Sequence, residues 1–173
     1  MKTIFQALAK YNESVNQSVL ELLAPLEKEK IMMKTKAYYP SIFDTFLHIL
    51  IADLNWLKRY RGVFKESEVL SNSKLVSLEE KSLRKEFESD YTKLFQYRKQ
   101  ADDVITQFIN EIDENKLISV IKYKNYKGED IEQELWKPLL HWFNHHTHHR
   151  GQISVLLDMI GIDNDYSSVL PRI

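Results

Sequence analysis

From Leu83 to Ile112 the chain returns to one face at every third or fourth position, through Leu83, Phe87, Tyr91, Leu94, Ala101, Ile105, Phe108 and Ile112, with Arg98 in the same register. That period is the mark of an amphipathic helix, and with a capping-box start at Ser77-Leu78-Glu79-Glu80 it predicts one helix of more than 30 residues. A second stripe, Ile4, Leu8, Tyr11, Val15, Val19, Leu22 and Leu26, predicts a helix over Lys2 to Leu26, ended by Pro25 and the charged run Glu27 to Lys30. A third helix starts at Ser41 as N-cap, with Asp44 three residues on, and runs to about Arg61 or Gly62. Glu66 to Ser77 is polar and Ser-rich, a loop or broken turn. The last helix begins near Pro138, a residue that suits a first turn because its missing N–H has no partner there, and stops at Gly161. Ile162 to Ile173 reads as an extended tail.

Between the long stripes, Leu117 to Tyr126 is rich in β-branched and aromatic residues. Lys127-Gly128-Glu129-Asp130 follows as a turn and Ile131 to Leu135 as a return strand, which together predict a small hairpin. The expected architecture is all-α, a single four-helix-bundle domain over residues 1–173 with the hairpin in the crossover before the last helix. A chain of 173 residues buries enough surface to hold one core without staples. Cysteine is absent, which excludes disulfides, thiolate ligands and a Cys nucleophile. Lys and Arg number 24 against 25 Asp and Glu, so there is no net positive field to reward nucleic-acid binding. The N-terminus is broken by polar residues before a signal-peptide core could form, and the most apolar window, Ile42 to Leu57, contains Asp44, His48, Asp53 and Asn55, too polar to span a bilayer. A cytoplasmic protein is expected.

Five of the six histidines fall within nine positions, His141 to His149. Imidazole is the commonest metal ligand and titrates nearest neutral pH, so the cluster points to a metal or proton-handling site. On a helix, His141, His145, His149, Gln152 and Leu156 share a face about 80° wide. His145 and His149, at i and i+4, can reach one ion, as in helical zinc motifs. His141 stands one turn earlier and is undecided between ligand and pocket wall. His146 and His148 point off this line and read better as a solvated face or as hydrogen-bonded core imidazoles. The remaining histidine, His48, shares its side of the second long helix with Thr45, small Ala52, Asn55 and Trp56.

Phe43, Phe46, Leu47, Leu50, Leu54 and Leu57 face nearly the opposite way, so that helix needs two covers, one of them the metal pocket and the other more core or a homodimer interface. Three histidines plus solvent form the open site that lowers the pKa of bound water and polarises substrate groups. Asp44, Asp53, Asn144 and Gln152 are candidates to orient the rings. Gly151, costly inside a helix, is expected to let another helix approach closely; Arg150 is expected to be structural; and Trp56, Trp136 and Trp142 to be core or pocket wall.

The segment Asn144-His145-His146-Thr147-His148-His149-Arg150-Gly151-Gln152 resembles the Asn-His-x-x-His-His-Arg-Gly-Gln signature of the DinB (damage-inducible) family within the DinB/YfiT-like superfamily of metal-dependent proteins. His48-Ile49, Ala52-Asp53 and Trp56-Leu57 are similar to its second-helix pattern, and Tyr11-Asn12 with Asn16 to its first, so the resemblance spans nearly the whole chain. It implies a four-helix bundle, commonly dimeric, with a divalent metal, usually zinc or nickel, on three histidines that map to His48, His145 and His149. Relatives include transferases and isomerases that use low-molecular-weight thiols such as bacillithiol or mycothiol. The family name refers to induction by DNA damage and gives no evidence of DNA binding. The expectation is thus a metal-dependent S-transferase or hydrolase acting on a small electrophile, with a non-catalytic dimeric bundle carrying a structural or sensing metal as the alternative.

Overall fold

The computed structural model describes residues 1–173. The chain runs α1 (Lys2–Leu23), α2 (Lys28–Ile31), α3 (Ile42–Val63), α4 (Glu68–Asn72), α5 (Glu80–Ser89), α6 (Tyr91–Glu111), β1 (Val120–Lys124), β2 (Asp130–Glu134) and α7 (Trp136–Met159). Short 3₁₀ turns cover Lys74–Ser77, Glu114–Ile118 and Leu170–Arg172. The four long helices close a ring in which α1 and α3 each pack against both α6 and α7. Their inner faces share one continuous apolar cluster of 39 buried residues, which makes this an all-α bundle with a two-stranded hairpin. No helix is long and apolar enough to cross a membrane.

Several boundaries differ from expectation for identifiable reasons. The α1 ladder closes at Leu23, whose helix is capped by the Ala24 N–H to Leu20 O bond at 2.9 Å, because Pro25 has no N–H to continue it. Its buried face is broader than the expected stripe: Tyr11, Val15 and Val19 are buried as the pattern implies, Phe5, Ala9, Asn12 and Asn16 join them, and Ile4 is 62% exposed. The single helix expected from Ser77 to Ile112 is two helices. Asp90 leaves the helical region (φ −142°, ψ 92°) and restarts the chain by accepting the Thr92 N–H at 3.1 Å. Ser77 belongs to a 3₁₀ turn, where its hydroxyl donates to Lys74 O, so the expected capping box at Ser77 does not form.

Helix α3 starts as the sequence implies, with Ser41 Oγ accepting the Asp44 N–H at 3.0 Å. Its face of Phe43, Phe46, Leu47, Leu50, Leu54 and Leu57 is fully buried in the chain's own core, so that face needs no second copy to cover it. The hairpin pairs Val120 with Glu134 through Lys124 with Asp130. Gly128, at φ +82°, permits the turn, and Asn125 Oδ1 accepts the N–H groups of Lys127 and Glu129. β1 lies on α3 and β2 on α7, so the hairpin bridges the two helices that carry the histidines.

Helix α7 begins two residues before Pro138, still within the first turn where a missing N–H is harmless. It ends in a glycine C-cap: Gly161 sits at φ +77°, and the N–H groups of Ile162 and Gly161 return to Leu157 O and Asp158 O, both at 3.0 Å. The tail then crosses α1, where Tyr166 O accepts from the Tyr11 hydroxyl and Arg172 donates to Ser14 Oγ. Gly151 is exposed, and a Cβ built on it meets nothing within 4 Å, so the close helix approach expected there is not present.

Candidate metal centre

Because α3 and α7 pack side by side, His48 on the first is carried to His145 and His149 on the second. His145 is the middle member: its Nε2 lies 3.0 Å from His48 Nε2 and 3.1 Å from His149 Nε2. One ligand atom from each of the three can be chosen so that all lie within 4.8 Å of one another. Tetrahedral zinc with nitrogen ligands at about 2.0–2.1 Å separates those nitrogens by about 3.3 Å. Three ring nitrogens brought this close repel one another unless a proton or a cation lies between them, and an all-imidazole set suits a divalent transition metal.

The other ring nitrogens decide how two of these rings present themselves. His149 Nδ1 donates to Gln152 Oε1 at 2.7 Å, which leaves its Nε2 lone pair free. The Gln152 amide is itself oriented by donating from Nε2 to His148 Nε2 at 3.2 Å, so exposed His148 steadies the ring from outside. On the opposite side, Tyr39 stacks on His48 with ring centroids 4.2 Å apart, and its hydroxyl lies 2.9 Å from His48 Nδ1. His145 Nδ1 is buried without a partner. Burial, reinforced by His149 nearby, pulls His48 down to about 4; burial, with His149 and His48, pulls His145 down to about 3; and burial also lowers His149. All three rings are therefore neutral near pH 7, as a ligand must be.

A cavity of about 630 Å³ opens beside this cluster. His48 and His145 line it together with Ala52, Asn55, Trp56 and His141. His141 stands at its wall, its ring 6.2 Å from that of His145, and is outside the three-histidine group. Gln152 supports His149. Asp44 and Asn144 are placed differently: Asp44 closes the start of α3, bonded by Ser41 and ion-paired with Lys34 at 2.5 Å and Arg84 at 2.9 Å, while Asn144 is exposed. Asp53 faces the core. Tyr39 is the contact that spacing does not reveal, since it lies in the loop before α3 and reaches His48 only through the fold.

Behind the histidines lies a second polar group, fully enclosed. Asp53 accepts hydrogen bonds from Arg98, from Trp142 Nε1 at 2.6 Å and from His146 Nε2. Arg98 reaches on to Asp102 with Nε at 3.1 Å and Nη2 at 2.9 Å, and the Asn16 amide donates to Asp102 Oδ1 at 2.8 Å. Arg150 completes the chain by donating to Asn12 and resting its guanidinium 5.3 Å from the Tyr11 ring centre. His146 is thus a core imidazole and Arg150 structural. Arg98 lies between the carboxylates of Asp53 and Asp102, and burial lowers His146 despite the pull of Asp53, so His146 serves Asp53 as a neutral donor. Asp53 is held well below the carboxylate range, His146 and Arg98 overcoming the cost of its burial.

Both groups draw on residues of one sequence signature. The model of the DinB family matches residues 1–165. The chain belongs to the DinB family. The protein named Protein DinB from Bacillus subtilis (strain 168) is 26% identical over 154 residues, covering 89% of this chain and 84% of that protein. In this DinB-family member the signature from Asn144 to Gln152 does two jobs on one helix: His145 and His149, the latter braced by Gln152, supply two of the three grouped histidines, and His146 and Arg150 lock the bundle behind them.

Proposed function

We propose that the chain is a metal-dependent enzyme in which His48, His145 and His149 hold a divalent ion, zinc or nickel, at the wall of the cavity, and that it transfers a small thiol to, or hydrolyses, a small electrophilic substrate. The observation that carries this reading is that two of the three convergent rings, His48 and His145, also line a cavity of about 630 Å³, large enough for a small molecule. When bound, the ion supplies Lewis acidity and lowers the pKa of a coordinated water or thiol. The chain's own residues do the rest: Gln152 and Tyr39 fix two of the rings, Trp56 and Ala52 shape the chamber, and the buried network behind α7 keeps the helix pair in register.

Elemental analysis of the purified protein, paired with consumption of L-cysteine in the presence of 1-chloro-2,4-dinitrobenzene, tests the proposal. One divalent ion per chain and turnover that both vanish in the His145→Ala, His149→Ala double variant are expected. A metal-free protein, or metal retained by the double variant, overturns it.

One observation favours a second reading. The ion would join α3 to α7, so it could serve as a cross-link in a non-catalytic bundle. A large fall in melting temperature on chelation, with no turnover of any thiol-conjugation substrate, selects that role. A homodimer is also part of the proposal, supported by the exposed apolar residues Tyr38, Val155 and Met159 around one groove; light scattering behind a sizing column should give twice the chain mass of 20.6 kDa.

A further inference from the structure

The cavity beside the histidines is lined by the hairpin, by Glu80 and by two helices running in opposite directions, each of which lays a regular row of side chains along it. On α3 the row is His48, Ala52, Asn55, Trp56 and Arg59; eleven residues separate His48 from Arg59, about 16 Å of helix rise and almost whole turns, so both face the same way. On α7 the row is Lys137, His141 and His145, one turn apart each. Both rows carry imidazole at one end and a cation at the other.

The two cations differ. Lys137 is paired with Glu134 at 3.0 Å. Arg59 has no carboxylate within ion-pair distance, although Glu80 lies elsewhere on the cavity wall. Its Nε donates to Lys124 O at 3.0 Å, and its guanidinium lies 4.8 Å from the centre of the Trp56 ring. One edge of the fork is thus anchored to the hairpin and one face to an aromatic ring, while the two terminal nitrogens have no partner in the fold. Those two nitrogens are open to the cavity with no protein acceptor, and partial burial of the guanidinium lowers it below its ordinary value. Arginine held in this way matches the two oxygens of a carboxylate.

We infer that the end of the cavity remote from the histidines is a carboxylate subsite, in which Arg59, stacked on Trp56 and anchored to Lys124, grips an anionic group of the substrate. Ala52, the smallest residue in the α3 row, leaves the floor between the two ends clear. The substrate is then an elongated small molecule with a carboxylate at one end and its reacting atom at the other. This rests on the cavity being the substrate chamber proposed above, yet anion binding at Arg59 needs neither metal nor turnover, which separates the two tests.

The test is a titration of the purified protein, before and after EDTA treatment, with 3-phenylpropionate and with its uncharged analogue 3-phenylpropanamide, followed by NMR of the arginine Nε–H resonances. The acid should bind at least tenfold more tightly than the amide, shift the Arg59 resonance, and do so equally after EDTA. In Arg59→Gln the preference for the acid should disappear. Equal binding of acid and amide to the unmodified protein, loss of acid binding on EDTA treatment, or a preference that survives in Arg59→Gln overturns the subsite. Acid binding at Arg59 in a protein that proves to hold no metal would leave the subsite standing and remove the enzymatic reading instead. The comparison on the unmodified protein decides the matter even if Arg59→Gln disturbs the hairpin.

Discussion

Helix α7 has two polar faces built on the same spacing of four, set one residue apart, and they behave in opposite ways. His145 and His149 turn toward α3 and leave ring nitrogens without a protein carboxylate; Trp142, His146 and Arg150, about 100° round the helix, enter a closed lattice with Asp53, Arg98, Asp102, Asn12 and Asn16. On the first face coordinating power is left over. On the second, almost every polar atom is used within the fold, His146 Nδ1 excepted. The contrast shows that a run of adjacent histidines need not share a role, because a single residue of offset moves an imidazole from the mouth of a cavity to the middle of a core.

The contrast is broken most severely at Arg98. Arg98→Met leaves Asp53 and Asp102 buried with no guanidinium between them, a loss of about 3–5 kcal/mol and on the order of 10 °C in melting temperature by circular dichroism. A fall of less than a few degrees would mean the lattice is not holding the bundle together. Next comes a matched pair on α7. His146→Leu should cost about 1–3 kcal/mol, because Asp53 loses a donor, and should keep its metal by elemental analysis. His145→Ala should do the reverse, losing the metal while its metal-free melting point drops less than that of His146→Leu. If both variants lost metal and stability together, the two faces would be one functional unit.

A subtler effect is expected at Asp102, whose carboxyl is pushed up to about 7 by burial, against the pull of Arg98 and the Asn16 amide. A folded pKa above the unfolded one near 3.9 means that the native state holds the proton longer. Its contribution is present below about pH 4 and is lost as pH rises to about 7. Asp102→Asn removes that titration. The stability of Asp102→Asn relative to the unaltered protein, from urea melts of the metal-free forms, should therefore climb between about pH 4 and pH 7 and level off above. A difference that is flat with pH would show that Arg98 wins over burial. The smallest effect is expected at Gly151, which faces open space on a regular helix; Gly151→Ala should raise stability by about 0.5–1 kcal/mol and leave metal content unchanged.

What could be read from the sequence was whatever is fixed locally. The Ser41 cap, the hairpin with Gly128 at its turn and the stop at Gly161 each depend on a few neighbouring residues, and each is where the pattern puts it. The break at Asp90 was hidden because it does not change the face: Phe87 before it and Leu94 after it, seven residues apart, are both buried, so the apolar period passes over the interruption unbroken. The signal for the lattice was present but silent. Arg98 stands in an otherwise apolar stripe with Asp102 four residues on, and Asn12 and Asn16 repeat that spacing in α1, a pattern of polar residues at core positions that only mutual pairing can satisfy. The histidine face was legible as a cluster and in its His145–His149 spacing. Tyr39 was not, since a loop residue nine positions before His48 stacks on it only after Pro40 and the Ser41 cap have set the entry angle of α3.

The placement of the three rings also has a kinetic side. His145 and His149 are neighbours on one turn of α7 and exist as a pair as soon as that helix forms, whereas His48 lies 97 residues from His145 along the chain. Closing a loop of that length is an entropic step that comes with docking of α3 against α7. An ion held by these rings early in folding would meet only two of the three, and contact with all three would report that helices 97 residues apart along the chain have docked.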